Sequence, residues 1–376
     1  MSGGEEAFVA WLGRRLPRSP IGDDTAELAA RGRLVVTVDQ QIEGTHFASG
    51  LDLATLGRRL LAVNLSDLAA SGARPRWALL ALGLPHETDP RPLVEGLLAE
   101  AARHGVVLAG GDVAHSPLLS ASLTLLGEKA AGAAPLGRDR ARAGHALWLG
   151  GPVGESALGC ELVLRGAKLR ATKAVLFKTK DFHLRGRLAV AGRRAVARHL
   201  VPEPQLALGA WLAALGRKAG AVIDVSDGLA KDLRRLCTAS GVGAELDLRL
   251  LRRAVAPLHE ELAAALTIDP IAVALAGGED YVLLFTLPEG VAPPHPLPPR
   301  RLPRRRRPPP PPPPPGLGPP RLTAPPARAR RSAPARDGRI EDPAGVRSLS
   351  GNGGLRRTLA SSGPTLGGHV TAADGT

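Results

Sequence analysis

The composition of this chain changes abruptly at Pro288, and this change limits which of its 376 residues can fold. Up to about Leu287, short β-branched runs alternate with helical patterns, which is typical of a mixed α/β protein. After Pro288 come proline and arginine repeats such as "RRLPRRRRPPP", then an Ala/Arg/Gly/Ser-rich run. A segment with so few large apolar residues cannot bury enough surface to offset its ordering entropy. We therefore expect a folded body followed by a disordered tail.

The body divides into short predicted elements. In a predicted helix at 54–71, four apolar residues share one face and should face the core: Leu56, Leu60, Val63 and Leu68. The other predicted helices are 91–104, 187–200, 205–217 and 228–239. Strands are predicted at 34–39, 77–84, 106–109, 119–127, 146–150, 221–227, 244–248 and 280–287.

The net positive charge is unevenly distributed along the chain. The net charge is +14, but residues 291–376 hold 15 arginines and 4 acidic residues, so the body carries only +3. The acidic N-terminus does not resemble a secretory signal, and no apolar run approaches the roughly 20 residues that span a bilayer. The two cysteines, Cys160 and Cys237, fit no disulfide or zinc spacing and are predicted to be core thiols. We expect a cytoplasmic protein without a membrane partner.

Aspartates recur beside Gly or Ser, at the ends of short apolar strands or the starts of helices. There are seven of them: Asp23, Asp24, Asp39, Asp67, Asp112, Asp224 and Asp227. Short carboxylate side chains hold hard cations close to the backbone, and Mg²⁺ prefers oxygen ligands together with waters and substrate phosphates. Converging carboxylates would repel one another unless cations completed the site. The pattern therefore favours a site for several magnesium ions and a phosphorylated ligand.

Each aspartate also has a structural interpretation. Asp67 could be a solvated helix residue, Asp227 could cap the helix that starts at Gly228, and Asp112 could be a turn residue. The glycine pairs in "LAGGDV" and "ALAGGEDY" leave backbone N–H groups open to phosphate oxygens, although each motif alone is weak evidence. The chain has no Walker A sequence, no protein-kinase motif set and no G-x-G-x-x-G after a strand.

The motifs "IGDDTAEL", "VDQQIEGTHF", "AVNLSDLAASGARP", "GGDVAHSP", "VGESALG", "DVSDGLAKDL" and "GGEDYVLLFT" occur in this order. Together, over about residues 5–287, they resemble the thiamine-monophosphate kinases. This family belongs to a superfamily with aminoimidazole ribonucleotide synthetase, selenophosphate synthetase and a hydrogenase maturation factor. The "GTHF" motif supports the kinase branch, which carries Gly-x-His-Phe.

The resemblance implies a two-domain aminoimidazole ribonucleotide synthetase-like α/β (α+β) fold. Its N-terminal domain, here 1–140, would bind ATP and magnesium and pair in a homodimer through a shared β-barrel. Residues 141–290 would form the C-terminal α/β domain, and 291–376 the tail. The implied reaction transfers the γ-phosphoryl group of ATP to thiamine monophosphate, giving thiamine diphosphate and ADP. Such a reaction asks the protein mainly for alignment and charge neutralisation.

The resemblance also assigns site residues. The implied magnesium ligands are Asp23, Asp39, Asp67, Asp112, Asp224 and Asp227, with Asp24 and Thr37 beside them in the metal site. The implied ATP contacts are Gly111, Arg138 and Ser226, with Asp112 shared between nucleotide and metal. His46 and Glu279 would face the thiamine phosphate. His46 could instead be a satisfied turn histidine, and Arg140 or Arg142 could replace Arg138, which could be a solvated loop charge.

Several positions depart from the family pattern. Val38 stands where a second hydroxyl is usual, so a hydroxyl is expected to be missing beside a metal ligand; Gln205 replaces an arginine, and His145 an aspartate. The stretch 165–187 is unusually basic. After Leu287 the family continues with another strand, a helix and a final aromatic residue, which the proline and arginine repeats replace. The abrupt change suggests a reading-frame shift in a GC-rich gene, and resequencing that shows an intact frame would exclude it.

Two other functions are considered. Another ATP-dependent synthetase of the same superfamily would differ in its substrate, so substrate profiling separates it from the kinase. The arginine-rich tail could also bind nucleic acid by displacing counterions from phosphates. Because the tail lacks interleaved aromatic residues for base stacking, such binding would be non-specific.

Overall fold

The structure is a computed structural model that describes residues 2–16, 25–26, 28–130, 136–170, 174–176, 184–255, 257–293 and 300–302. The described residues belong to one compact unit of the chain. Asp23, Asp24 and nearly all of the predicted tail lie outside them, and the predicted boundary at residue 140 stays a prediction. Within the described ranges, no helix combines the length and apolar character needed to cross a membrane.

The first half of the chain forms a four-stranded sheet in the order β1-β4-β2-β3. Its strands are β1 (Arg33–Ile42), β2 (Arg74–Leu84), β3 (Val107–His115) and β4 (Ser120–Lys129). Strand β4 pairs antiparallel with β1 and β2, whereas β2 and β3 are parallel. A parallel pair needs a crossover, and the helix between β2 and β3 provides it. Strands β1 and β3 therefore form the two edges of the sheet.

Three helices belong to this half: α1 (Ser2–Arg15), α2 (Leu53–Ser71) and α3 (Arg91–His104). Helix α2 begins after Asp52, whose side chain accepts a 2.9 Å hydrogen bond from the Thr55 amide, and it ends at the left-handed Gly72. The four apolar residues predicted to face the core are all at most 1% exposed. Gly57 lets α2 touch α3, because a Cβ there would lie 1.9 Å from the Leu93 carbonyl oxygen.

The second half contains a four-stranded antiparallel sheet in the order β10-β5-β9-β8. These strands are β5 (Ala146–Leu149), β8 (Val222–Asp224), β9 (Leu283–Leu287) and β10 (Arg300–Leu302), and β6 (Lys168–Arg170) pairs with β7 (Ala174–Leu176) as a separate hairpin. The helices are α4 (Glu155–Leu164), α5 (Gly186–Leu200), α6 (Leu206–Ala214), α7 (Leu229–Ser240), α8 (Leu248–Ala254), α9 (Pro257–Leu266) and α10 (Pro270–Ala276), and a 3-10 turn spans Gly216–Lys218.

Most predicted elements are confirmed, but the strand predicted at 244–248 is wrong. Residues 242–247 are irregular and α8 begins at Leu248. Asp247 accepts a 2.9 Å hydrogen bond from the Arg249 amide and so caps this helix. A local cap of this kind competes with strand pairing, which needs a partner strand that the short apolar pattern alone does not supply.

Candidate functional site

Three of the predicted aspartates come together from different elements. Asp39 lies on β1, Asp67 on α2 and Asp224 at the end of β8. In addition to burial, the charge of Asp67 raises the pKa of Asp39, and the charges of both raise the pKa of Asp224. The Ser66 hydroxyl donates a 2.8 Å hydrogen bond to Oδ2 of the buried Asp224. The carboxylate cluster therefore lies where α2 packs against β1 of the first sheet and β8 of the second.

Strand alternation decides which β1 side chains reach α2. Residues two apart on a strand point to the same face, so Thr37 and Asp39 both face the helix, and the Thr37 hydroxyl contacts Asp67. Val38 points the other way and is 60% exposed. A hydroxyl at position 38 would therefore lie on the opposite face of β1 from Asp67, and the effect of its absence on metal binding stays a prediction.

The pKa values of all three carboxyl groups in the cluster are raised. Burial and the charge of Asp67 raise the pKa of Asp39 to about 6. Burial raises the pKa of Asp224 to about 7, with a further contribution from Asp67. Burial also raises the pKa of Asp67, against the hydrogen bond from Thr37. Like charges in a desolvated site favour a bound proton or cation.

The predicted nucleotide contact Arg138 faces this cluster. Arg138 is exposed, its charge opposes the rise in the pKa of Asp67, and its backbone carbonyl accepts a 2.6 Å hydrogen bond from Ser240. The alternative residue Arg140 acts instead on Lys129, whose pKa burial and neighbouring arginines lower. Which of Arg138, Arg140 and Arg142 contacts the nucleotide stays a prediction.

Asp227 is paired with two basic side chains. It pairs with Lys231 Nζ at 3.1 Å and with an Arg235 guanidinium nitrogen at 2.5 Å. It does not cap α7, since Gly228 occupies the N-cap position. The buried Asp232, which the sequence reading missed, accepts hydrogen bonds from the amides of Ser226 and Asp227 at 3.0 and 2.9 Å.

Gly111 and Asp112 lie on the opposite edge of the first sheet from Asp39. The register runs from Asp39 to Leu123, Leu80 and Gly111 across four strands. Three strand spacings of about 4.8 Å place the two edges roughly 14 Å apart along the sheet. Asp112 is exposed on β3 rather than in a turn. Within one chain, the structure therefore does not bring Asp112 into the cluster of Asp39, Asp67 and Asp224.

A cavity of about 260 Å³ lies at the start of α2, the helix that carries Asp67 farther along. Its walls come from the loop around His46, the start of α2, and the ends of α4 and α5. His46 Nδ1 accepts a 3.1 Å hydrogen bond from the Ile42 amide, so it is both a satisfied turn histidine and a cavity residue. Burial lowers the pKa of His46 and favours the neutral ring.

Glu279 contacts two side chains that line this cavity, Arg59 and His199. The Arg59 guanidinium contacts Oε1 at 2.5 Å, and His199 Nδ1 lies 3.2 Å from Oε2. Burial alone would raise the pKa of Glu279, but these partners outweigh it and lower the pKa to about 2. Glu279 is therefore a fixed negative charge, and because its carboxylate only accepts hydrogen bonds, His199 must donate its Nδ1 proton.

Several hydrogen bonds fix the loop that carries Glu279. Glu279 and Tyr281 have φ values of 56° and 50°, a left-handed conformation that costs a non-glycine residue roughly 1 to 2 kcal/mol. Their amides donate to the carbonyls of Ser226 and Val225 at 2.7 and 2.8 Å. Asp280 accepts hydrogen bonds from two amides at the start of α4, and burial raises its pKa to about 7.

The sequence reading missed Arg59, His199, Asp232 and Asp280 as site residues. Arg59 could have been found, since it lies three residues after Leu56 and four before Val63 and thus places a charge on the apolar face of α2. His199 and Asp280 become part of the site only through tertiary contacts.

No group of three or more His, Cys, Asp or Glu residues in the described part of the chain already stands together as a metal site. The chemistry of Asp39, Asp67 and Asp224 nevertheless fits a hard cation, which would relieve their mutual repulsion. Which of the predicted ligands bind magnesium stays a prediction.

Comparisons with known proteins agree with this fold. Residues 22–128 match the family described as AIR synthase related protein, N-terminal domain. Thiamine-monophosphate kinase from Salmonella typhimurium is 37% identical over 274 residues, covering 72% of this chain and 76% of that protein. The crystal structure of thiamine-monophosphate kinase from Stenotrophomonas maltophilia K279a is 37% identical with a TM-score of 0.60, covering 72% of this chain and 79% of that one.

A second solved structure, AaThiL complexed with AMPPCP and TMP, is 29% identical with a TM-score of 0.59 and covers 76% of this chain and 85% of that one. The predicted aminoimidazole ribonucleotide synthetase-like α/β fold and the predicted family are confirmed. Because the chain covers 76% of a relative to which it is 37% identical, it belongs to the thiamine-monophosphate kinase family.

Proposed function

We propose that this chain transfers the γ-phosphoryl group of ATP to the phosphate of thiamine monophosphate, giving thiamine diphosphate and ADP. The observation that carries the proposal is the clustering of Asp39, Asp67 and Asp224, with the cavity of His46 at the start of the same helix α2, in a chain of this family. The relative AaThiL was solved with AMPPCP, an ATP analogue that resists hydrolysis, and with TMP. Both ligand classes are therefore known in a protein of the same fold.

Magnesium is proposed as the cofactor. The residues of the cluster that would hold it are Asp39, Asp67 and Asp224, with Thr37 beside Asp67. Asp23, Asp24, Asp112 and Asp227 are further ligands that the family resemblance implies. When bound, magnesium neutralises the phosphate oxygens of the nucleotide and of the transition state. The raised pKa values of Asp39 and Asp224 support this assignment, because a cation removes the repulsion that opposes their ionisation.

The other residues of the chain bind and orient the two substrates. Arg138 faces Asp67 and would neutralise ATP phosphate oxygens, with Gly111 and Ser226 supplying further ATP contacts. His46 and Glu279 would lie on the thiamine side. Bringing two anionic phosphates together costs repulsion, so holding them in line is the main contribution expected of these residues.

A homodimer is part of the proposal. Strand β1 is an edge strand whose outward face carries Leu34, Val36 and Val38, which are 47%, 56% and 60% exposed. An apolar edge strand of this kind invites pairing with another chain, and burying it would remove an exposed apolar patch. A second copy would also offer its own β3 edge with Asp112. The proposed location is the cytoplasm, where ATP is produced.

The test is ADP release by the full-length protein with Mg-ATP, with and without thiamine monophosphate, beside an Asp67→Asn variant. Turnover that needs thiamine monophosphate and is lost in the variant is expected. Release of ADP only with another superfamily substrate would instead identify a synthetase. Binding of Mg-ATP without any turnover would mean that the sequence after Leu287 has removed a required part of the enzyme.

A further inference from the structure

Arg59 is the most deeply buried cation among the described residues, with only 1% of its surface exposed. It lies in the middle of α2, and its guanidinium makes three polar contacts. Nε donates to Gln41 Oε1 at 3.0 Å, one terminal nitrogen donates to the His199 carbonyl, and the other contacts Glu279. Arg59 therefore joins strand β1, the end of helix α5 and the loop of Glu279.

The stability of the fold does not by itself explain why an arginine occupies this position. Burying a guanidinium carries a desolvation cost that a buried ion pair often only offsets, so an apolar side chain of similar size can stabilise a core as well. The planar fork of arginine is distinctive because it fixes several acceptors in one geometry. The three acceptors here belong to segments that are far apart in the chain.

The segment that Arg59 holds is under conformational strain. Glu279 follows the glycine pair Gly277 and Gly278 and adopts a left-handed backbone conformation. Its amide bonds to the Ser226 carbonyl, next to the aspartate segment, while its carboxylate points toward Arg59 and His199. Arg59 and His199 also line the cavity of His46. One residue thus connects the cavity wall to the loop beside the carboxylate cluster.

We infer that Arg59 is a positioning residue that sets the shape of the thiamine-binding cavity by holding Glu279 and the end of α5. This inference rests on the proposed function, since it assigns the cavity to thiamine monophosphate. Arg59 acts through Glu279 and His199. We expect it to affect nucleotide binding less than thiamine monophosphate binding, because Arg59 lines the cavity and lies about two turns of α2 away from Asp67.

The test compares Arg59→Met, Arg59→Lys and the neighbouring control Arg58→Met. Arg58 pairs with Glu100 at 3.3 Å on the side of α2 that faces α3, and Glu100 keeps Arg103 and His104 as partners. Calorimetry would measure the dissociation constants of thiamine monophosphate and of a non-hydrolysable ATP analogue with magnesium. Thermal unfolding would measure stability for the same proteins.

We expect Arg59→Met to weaken thiamine monophosphate binding by roughly tenfold or more, as misplacement of a binding group does. ATP-analogue binding should stay within about twofold, and Arg58→Met should resemble the wild type. Arg59→Lys keeps the charge without the fork and should fall between the two. In a Glu279→Gln background, the Arg59→Met loss should be much smaller, because both changes break the same contact.

Two results would overturn the inference while leaving the kinase function intact. One is wild-type affinity for thiamine monophosphate in Arg59→Met. The other is an equal loss of both ligands that follows the fall in melting temperature in both Arg59 variants, which indicates a purely structural role. If Arg59→Met does not fold, Arg59→Lys decides between these results. A wild-type protein that binds the nucleotide analogue but not thiamine monophosphate would instead refute the proposed function.

Discussion

Thr37 donates a 2.5 Å hydrogen bond from its hydroxyl to Oδ2 of Asp67, and this bond joins the edge strand β1 to helix α2 within the carboxylate cluster. The bond fixes the position of one carboxylate oxygen of Asp67. It also explains why Thr37 belongs to the site without itself carrying charge.

Thr37→Val should therefore lower the rate of ADP release about tenfold, which corresponds to the loss of one partly buried hydrogen bond worth roughly 1 to 2 kcal/mol. The magnesium concentration needed for half-maximal rate should rise as well. Thr37→Ser keeps the hydroxyl and is the matched control. Initial rates at a series of magnesium concentrations measure both quantities. An unchanged magnesium dependence in Thr37→Val would show that the bond does not organise the cluster.

Asp224→Asn should stabilise the magnesium-free fold while abolishing turnover. The pKa of Asp224 rises from its usual value of 3.8 to about 7 in the folded protein, so ionising it opposes folding as the pH rises through that interval. The gain in melting temperature from Asp224→Asn should be larger at pH 8 than at pH 5. The exposed Asp89→Asn serves as the control, with an expected change within about 0.5 kcal/mol.

At saturating magnesium and nucleotide, the wild type should be more stable than Asp224→Asn, because it would then be stabilised by ligands that the variant binds poorly. Thermal unfolding with and without Mg-ATP analogue measures both effects. A variant that is less stable than the wild type at pH 8 without ligands would contradict the repulsion described for the cluster.

The lowered pKa of Glu279 predicts a pH dependence of stability that is opposite to that of Asp224. The pKa of Glu279 falls from 4.5 to about 2 on folding, so its contribution to stability is present above pH 4.5 and is lost as the pH falls toward 2. Glu279→Gln should lower the free energy of unfolding at pH 7 by an amount on the order of 2 kcal/mol and flatten its decline below pH 4.5. Glu95→Gln, which breaks an exposed pair with Arg15, should leave the acid profile unchanged. Urea titrations between pH 2.5 and 7 provide the comparison; parallel profiles for Glu279→Gln and the wild type would count against the ion pair.

The exposed apolar face of β1 predicts a dimer that should dissociate when charged residues are introduced on this face. Replacing both Val36 and Val38 with lysine should convert the dimer to a monomer in sedimentation velocity, because two charges would be buried at the proposed interface. Leu248→Lys, at a similarly exposed apolar residue on α8, should leave the sedimentation coefficient unchanged. A double variant that still sediments with the wild type would place any dimer contact elsewhere.

The sequence alone determined most of the elements and the chemistry of the site. The apolar face of α2 and the strand patterns of β1, β2, β4 and β9 depend on local periodicity, which the folded structure preserves. The motif order identified the family. The aspartates at strand and helix ends indicated a cation and phosphate site. Asp39, Asp67 and Asp224 lie close enough to affect one another's pKa values, and their binding of magnesium stays a prediction.

Only the tertiary structure decided which of these residues meet and what holds them. The sequence near Asp227 does not reveal that Lys231 and Arg235 neutralise it, and the glycine pair before Asp112 does not reveal that β3 lies at the opposite edge from β1. Arg59, His199 and Glu279 are up to 220 residues apart, and their ion pairs exist only after the two sheets close around α2. Periodicity acts over a few residues, whereas charge pairing, burial and the resulting pKa shifts depend on distances in space that the whole fold sets.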